Sequence, residues 1–216
     1  MTQTEPVEFL FALLDQLRRD NPAPAMAPYS AVSGESGHRS IKRRRVTSKD
    51  SIVTDLLTLA GFLGACFAAA TTGAVFKPGD WYRALSKPRW TPPDWLFPVA
   101  WTLLYLTIAV SGWLVLRTAG LPAALPALAV YGGQLVLNAA WSPLFFGLKR
   151  PDLGLVGVVF LWLSIVATIT VFYPLHTGAA LLLVPYALWA SFAGALNFEI
   201  WRRNRGRTVT LSSRAT

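Results

Sequence analysis

Five long apolar runs dominate the chain. They cover residues 56–76, 96–116, 126–148, 153–173 and 178–201. Each run exceeds the roughly 20 residues that an α-helix needs to cross the hydrocarbon core of a bilayer. Lipid offers no partner to backbone polar groups, and the runs lack the alternation of a strand. The pattern therefore predicts an all-α membrane protein, a bundle of five transmembrane helices.

The polar links between the runs predict how the helices are arranged. The links 117–125, 149–152 and 174–177 are short, which makes successive helices antiparallel neighbours. The link 77–95 is much longer. An odd number of spans puts the termini on opposite sides, and ten Lys and Arg residues lie near the membrane on the C-terminal side against seven on the other. The positive-inside rule then predicts a cytosolic C-terminus, with a bacterial cell membrane as the expected location.

The ends of the chain differ from its apolar centre. Residues 1–50 are rich in Pro, Ser and Gly and contain the basic run 42–45, so we predict a disordered basic tail. A short amphipathic helix at 7–17 within it is too short to span a bilayer. The transmembrane domain is predicted at 51–204, followed by a basic tail at 205–216.

Composition supports the membrane assignment. Of the 216 residues, 53% are hydrophobic and 14% charged, against about a quarter charged in soluble domains. The net charge of +9 comes from tails and short links. It does not lie along an aromatic face, so membrane lipid is the expected partner and nucleic acid is not. The single cysteine, Cys66, excludes an intramolecular disulfide and is read as a packing residue.

Polar side chains recur inside the third run. Gln134, Asn138 and Ser142 are four residues apart, which places them on one helix face. Polar residues at membrane depth face the bundle interior, where they either hold helices together or meet a ligand. Both interpretations stay open at this point.

Aromatic and small residues line up on two other runs. In the fifth run the residues at intervals of four are Pro185, Trp189, Ala193 and Asn197. In the second run, Trp101 and Tyr105 have the same spacing. Aromatic walls with a few polar points are typical of a pocket for a large, flat, mostly apolar molecule.

The first run carries a stripe of small residues. They are Gly61, Ala65, Ala69 and Gly73. Such a stripe predicts close contact with another helix, either of the same chain or of a second copy, so a homodimer is a hypothesis.

Several kinds of catalytic site are absent from the sequence. The two histidines, His38 and His176, belong to no cluster with metal-ligand spacing, so no metal site is predicted. There is no glycine loop for phosphates, no nucleophile elbow and no pair of intramembrane carboxylates. Hydrolysis, ATP-driven pumping and proton relay are therefore disfavoured.

Four motifs in order resemble one family. They are W-Y-x-x-L-x-K-P-x-W-T-P-P at 81–93, W-T-x-L-Y at 101–105, L-N-x-x-W-S-x-x-F-F at 137–146 and P-Y-x-L-W-x-x-F-A-x-x-L-N at 185–197. Together they resemble the tryptophan-rich sensory protein and translocator protein (TspO/MBR) family over residues 52–204.

The resemblance implies a five-helix bundle, usually dimeric, with no obligatory cofactor. It implies binding of tetrapyrroles such as protoporphyrin IX and haem, and in some members of cholesterol or synthetic isoquinoline and benzodiazepine ligands. With Tyr105 added from its place beside Trp101, the predicted ligand-binding residues are Trp81, Tyr82, Trp101, Tyr105, Asn138, Ser142, Trp189 and Ala193.

The long link, which contains WYRALSKPRWTPPDW at 81–95, is interpreted as a lid over this pocket. Its prolines deny the segment a helix and favour an extended path, so its aromatic rings can fold over the mouth of the bundle. The predicted lid residues are Lys87, Pro88, Trp90, Pro92, Pro93 and Trp95. With Arg83 and Arg89, Lys87 would contact either porphyrin propionates or lipid phosphates.

Three functions follow from the resemblance and one from the residues alone. The favoured function is a sensor, regulator or translocator that binds tetrapyrroles. The alternatives are an enzyme that degrades porphyrin in light and oxygen with Trp101 and Trp189, a sterol or lipid transporter, and a scaffold without a small ligand. The family's sterol pattern has a tyrosine where this chain has Phe198, which weakens the transporter alternative.

Overall fold

The computed structural model describes residues 48–205, and the side chains from residue 51 onward. The predicted tails 1–50 and 205–216, with the short helix at 7–17, lie outside the described residues except at their inner ends. Within the described range the chain is helical and contains no strand. The all-α prediction is confirmed for this part of the chain.

Six α-helices follow one another in the described residues. They are α1 (Ser48–Val75), α2 (Asp80–Ala84), α3 (Leu96–Ser142), α4 (Pro151–Phe172), α5 (Thr177–Leu182) and α6 (Val184–Asn204). A π-helical turn, Pro143–Gly147, continues α3. Four stretches are long and apolar enough to cross a membrane: Ser51–Val75, Leu96–Gly147, Pro151–Phe172 and Thr177–Asn204.

The longest helix, α3, turns back on itself at Gly120. Its 47 residues would make a straight rod of about 70 Å. Gly120, however, has non-helical dihedral angles, φ 73° and ψ 160°, a region that glycine enters without the steric cost of a Cβ atom. Pro122 lies in the first turn after the reversal, where a missing N–H leaves no hydrogen bond unmade. The predicted link 117–125 is thus reduced to a single non-helical residue.

Hydrogen bonds between the two halves of α3 show that they are antiparallel. The hydroxyl of Tyr105 donates to Oδ1 of Asn138 over 2.6 Å, although a straight helix would separate these residues by about 50 Å. The Tyr131 hydroxyl likewise donates to the carbonyl of Ile108. We call residues 96–119 the first arm and residues 121–142 the second arm.

The helices pack in a sequence that leaves a space in the middle. α1 lies against α3, α3 against α4, and α4 against α6, whereas the backbones of α3 and α6 stay apart and the two helices meet through long side chains. The core between them contains fully buried side chains such as Ile108, Phe172 and Tyr186. Large apolar side chains also face outward, for example Phe67, which is 73% exposed. An outward apolar surface is what hydrocarbon favours around a bundle.

The small-residue stripe of α1 is used in part within the chain. Ala69 is buried, and a Cβ atom added at Gly73 would lie 3.7 Å from the Ser142 hydroxyl. Gly61 and Ala65 are exposed in this single chain. The predicted close contact therefore exists between α1 and the second arm, while a homodimer stays a prediction.

Candidate functional site

A cavity of about 600 Å³ occupies the space between α3 and α6. α1, the link 77–95, both arms of α3, α4 and α6 all contribute to its walls. Seven of the eight predicted ligand-binding residues line it: Tyr82, Trp101, Tyr105, Asn138, Ser142, Trp189 and Ala193. Trp81 does not line it. Its ring packs edge-on against Phe145, with 5.9 Å between the ring centroids.

Aromatic rings on opposite helices form two walls of the cavity. On the first arm, the rings of Trp101 and Tyr105 lie 5.5 Å apart, because a spacing of four residues places them one turn apart on the same face. On α6, the indole of Trp189 meets the ring of Phe97 edge-on at 5.9 Å. A molecule between these walls would contact flat apolar faces on both sides.

Asn138 forms hydrogen bonds that link helices. Its Oδ1 accepts from Tyr105, and its Nδ2 donates to the Tyr186 hydroxyl over 2.5 Å. This one amide therefore ties both arms of α3 to α6. The sequence left open whether Asn138 holds helices together or meets a ligand. These bonds show the first role, and one N–H and one lone pair remain for a ligand in the cavity that Asn138 lines.

Two other polar groups in the cavity wall have no such partner. The indole Nε1 of Trp189 and both amide atoms of Asn197 are buried, yet none has a hydrogen-bond partner among the described residues. Both residues line the cavity. Buried polar groups are nearly always paired, because an unpaired one loses its hydration without replacement. These atoms are therefore candidates for contact with a bound molecule.

The link 77–95 contributes its two ends to the cavity, and its middle lies further out. The lining residues are Lys77, Pro78, Tyr82, Arg83 and Asp94. None of the predicted lid residues, Lys87, Pro88, Trp90, Pro92, Pro93 and Trp95, lines it. Tyr82 and Arg83 line the cavity from α2, a helical turn at 80–84 that the prolines further along do not prevent. The prediction that the segment is free of helix was wrong for these residues.

The middle of the link packs against Tyr82 and against α6, outside the cavity. The Lys87 ammonium lies 4.2 Å above the centre of the Tyr82 ring, and Trp90 meets the Phe192 ring of α6 edge-on at 5.7 Å. Trp95 is 65% exposed. Tryptophan is enriched where membrane meets water, and such a ring is suited to that boundary.

The side chain of Asn204 fastens the link to the end of α6. It accepts from the backbone N–H of Ser86 over 3.0 Å and donates to the carbonyl of the same residue over 2.9 Å. It also donates to the carbonyl of Ile200 in its own helix. An amide that pairs with both backbone groups of one residue fixes that residue as a strand partner would. We call this contact the Asn204 clamp.

Charges at the cavity mouth are partly balanced. Arg83 is paired with Asp80 at 2.8 Å, but both side chains are exposed, so the pair adds little stability. Burial, and then the negative charge of Asp94, raises the pKa of the Tyr82 phenol above its ordinary value. Tyr82 is therefore neutral at physiological pH and presents an uncharged ring to the cavity.

Sequence reasoning missed part of the aromatic lining. Trp141, Phe145 and Phe146 line the cavity. Trp141 stacks on Phe145 with 5.1 Å between centroids, and its Nε1 donates to the carbonyl of Gly154. The π-helical turn at 143–147 changes the angular spacing here. A four-residue period fails at such a turn, and the available signal was the W-S-x-x-F-F motif itself.

Comparison with known proteins adds independent findings. The model of the TspO/MBR family matches residues 57–202. The chain is 44% identical to Protein CrtK of Rhodobacter capsulatus over 161 residues, which is 72% of this chain and 99% of the relative. It is 47% identical to a tryptophan-rich sensory protein of Cereibacter sphaeroides, over 68% of this chain and 90% of the relative. It is 38% identical to the human translocator protein, over 69% and 88%. The resemblance predicted from the motifs is confirmed.

Proposed function

The chain belongs to the TspO/MBR family, and on that premise we propose that its cavity binds a tetrapyrrole such as protoporphyrin IX or haem, as part of sensing or translocation at a membrane. The observation that carries the proposal is the cavity itself. Its volume of about 600 Å³ lies within the range of small-molecule sites, roughly 300–1,000 Å³. The two indoles in its wall, Trp101 and Trp189, suit a flat apolar ring system.

The reversal at Gly120 supports a bundle of five crossings. Each arm of α3 spans roughly 33–36 Å at 1.5 Å per residue, against a hydrocarbon core of about 30 Å. The four apolar stretches then cross the membrane five times, because Leu96–Gly147 crosses twice. We propose that the C-terminal end of α6, with Arg202 and Arg203 in its last turn, lies on the cytosolic side.

Contacts of the link 77–95 support its role as a lid. Its ends line the cavity, and the Asn204 clamp attaches its middle to α6. Next to the clamp, Leu85 of the link is buried in a small apolar cluster with Leu196 and Ile200 of α6, so opening must break this packing as well as the clamp. We propose that a ligand passes when this link lifts.

Two partners belong to the same proposal. Membrane lipid surrounds the outward apolar side chains such as Phe67. A second copy of the chain would pack on the exposed small residues of α1, Gly61 and Ala65.

Titration of the full-length protein in detergent with protoporphyrin IX, followed by tryptophan quenching, tests the binding function. Ala193 lines the cavity, so Ala193→Phe fills part of the cavity and should weaken binding at least tenfold. Ala195, on the same helix, is exposed, so Ala195→Phe is the matched control and should bind as the unaltered protein does. Quenching that does not saturate, or that both variants affect equally, would refute the proposal.

A further inference from the structure

Asn197 is the most unusual polar residue of the cavity wall. It is 2% exposed, lines the cavity, and has neither its donor nor its acceptor paired with any described residue. It lies opposite the start of α4, where a Cβ atom added to Gly154 would come within 3.2 Å of its Nδ2. The absence of a side chain at Gly154 thus leaves room for the amide.

A comparison with the other buried amides sets Asn197 apart. Asn138 has partners on two helices. Gln134 is 1% exposed and also has both amide atoms unpaired among the described residues, but it does not line the cavity. Asn197 alone among these three is both unpaired and beside an open space. A molecule in that space can supply the missing partners when the amide of Asn197 turns from Gly154 toward the cavity.

The chemistry of a carboxamide limits which partner fits. Its Nδ2 donates and its Oδ1 accepts on one edge, so the matching group must accept and donate side by side. A neutral carboxylic acid does this with its C=O and O–H. A carboxylate only accepts, which leaves Oδ1 unpaired, and an ester lacks the hydrogen. Low dielectric favours the neutral form of a carboxyl group, which is the form that fits this buried amide, whereas the lining cations Lys77 and Arg83 favour the carboxylate of an arm that lies near them.

We propose that Asn197 is a specificity-determining residue that recognises a carboxylic acid arm of the ligand through two hydrogen bonds. The inference rests on the proposed function, since protoporphyrin IX carries two propionic acid arms on one edge. Asn197 pairs with one of them in its neutral form. The ring system then lies between Trp101 and Trp189, both of which line the same cavity.

The test compares protoporphyrin IX with its dimethyl ester, which keeps the ring system and removes the acid hydrogens. Affinities are measured by tryptophan quenching for the unaltered protein and for Asn197→Leu, which keeps the size of the side chain and removes its polar atoms. Asn197→Ala is a second variant in case leucine packs poorly. Gln134→Leu is the matched control, because it removes an equally buried unpaired amide outside the cavity.

We expect the preference for the acid over the ester to fall about fivefold to tenfold in both Asn197 variants, the factor for one hydrogen bond. The preference should stay unchanged in Gln134→Leu. Without porphyrin, Asn197→Leu and Gln134→Leu should both raise the midpoint of thermal unfolding, because each removes a buried unpaired amide.

Two failures are distinguishable. If the unaltered protein binds protoporphyrin IX but the preference for the acid survives in both Asn197 variants, the role of Asn197 is refuted and the proposed function stands. If the unaltered protein does not bind protoporphyrin IX saturably, the proposed function and the inference that rests on it both fail.

Discussion

Removal of the Asn204 clamp is expected to speed the release of a bound porphyrin. Asn204→Ala deletes both hydrogen bonds between this side chain and the Ser86 backbone. Each is worth about 1 kcal/mol net, so about 2 kcal/mol of the attachment is lost. Since 1.4 kcal/mol corresponds to a factor of ten in an equilibrium constant, the ratio of molecules with a closed link to those with an open link falls about thirtyfold. If release requires opening, the dissociation rate rises by up to the same factor.

Stopped-flow fluorescence measures this rate, with excess serum albumin present to trap released protoporphyrin IX. Asn204→Asp should give an intermediate increase of about fivefold, because the carboxylate still accepts from the Ser86 N–H but donates to neither carbonyl. Ser86→Ala is the control. It preserves both backbone groups of the clamp and should release porphyrin at the original rate.

Two results would refute this reasoning. Equal dissociation rates in Asn204→Ala and the unaltered protein would mean that the link does not control release. An acceleration in Ser86→Ala as large as that in Asn204→Ala would mean that the backbone clamp is not the relevant contact. Hydrogen exchange of the Ser86 amide gives a second readout, since loss of its acceptor should speed its exchange at least tenfold.

Further predictions concern packing, photochemistry and pH. Gly154→Ala should cost about 1–3 kcal/mol of stability in thermal unfolding, since the new Cβ atom would lie 2.6 Å from the Phe145 ring; an unchanged midpoint would contradict this packing. Under illumination in oxygen, bound protoporphyrin IX should keep its absorbance, whereas a loss abolished by Trp101→Phe or Trp189→Phe would favour the porphyrin-degrading alternative. Because the pKa of Tyr82 is raised from 10.0 in the folded protein, its contribution to stability is complete below pH 10 and is lost as the pH rises further. Tyr82→Phe should therefore flatten the fall in stability above pH 10, as measured by denaturation in detergent.

The sequence predicted the helices well because lipid leaves the backbone few alternatives. Long runs without charge must be helical at membrane depth. The exact position of the chain reversal was harder to predict, because the residues around Gly120 are mostly good helix formers. Only the glycine with Pro122 two residues later signals the break, and the predicted link 117–125 is longer than the single non-helical residue in the structure.

The sequence predicted which helix faces line the site, but it did not predict which side chains form hydrogen bonds with one another. A spacing of four placed Asn138 and Asn197 on cavity-facing helix surfaces, and both line the cavity. Nothing in the spacing could tell that Asn138 meets two tyrosines while Asn197 meets none. Such pairings depend on how far one helix is shifted along another. That shift follows from packing across the whole bundle, so the period of a single helix does not reveal it.

The Asn204 clamp also bears on how the molecule is made. Asn204 follows Ser86 by 118 residues, so the ribosome produces the link long before the residue that fastens it. While the intervening helices are being synthesised, the link cannot be attached to α6. A ligand that binds at this stage is therefore not retained by the clamp. The link can close over the cavity only after the end of α6 has left the translation machinery. Stable retention of a ligand therefore requires a fully synthesised chain.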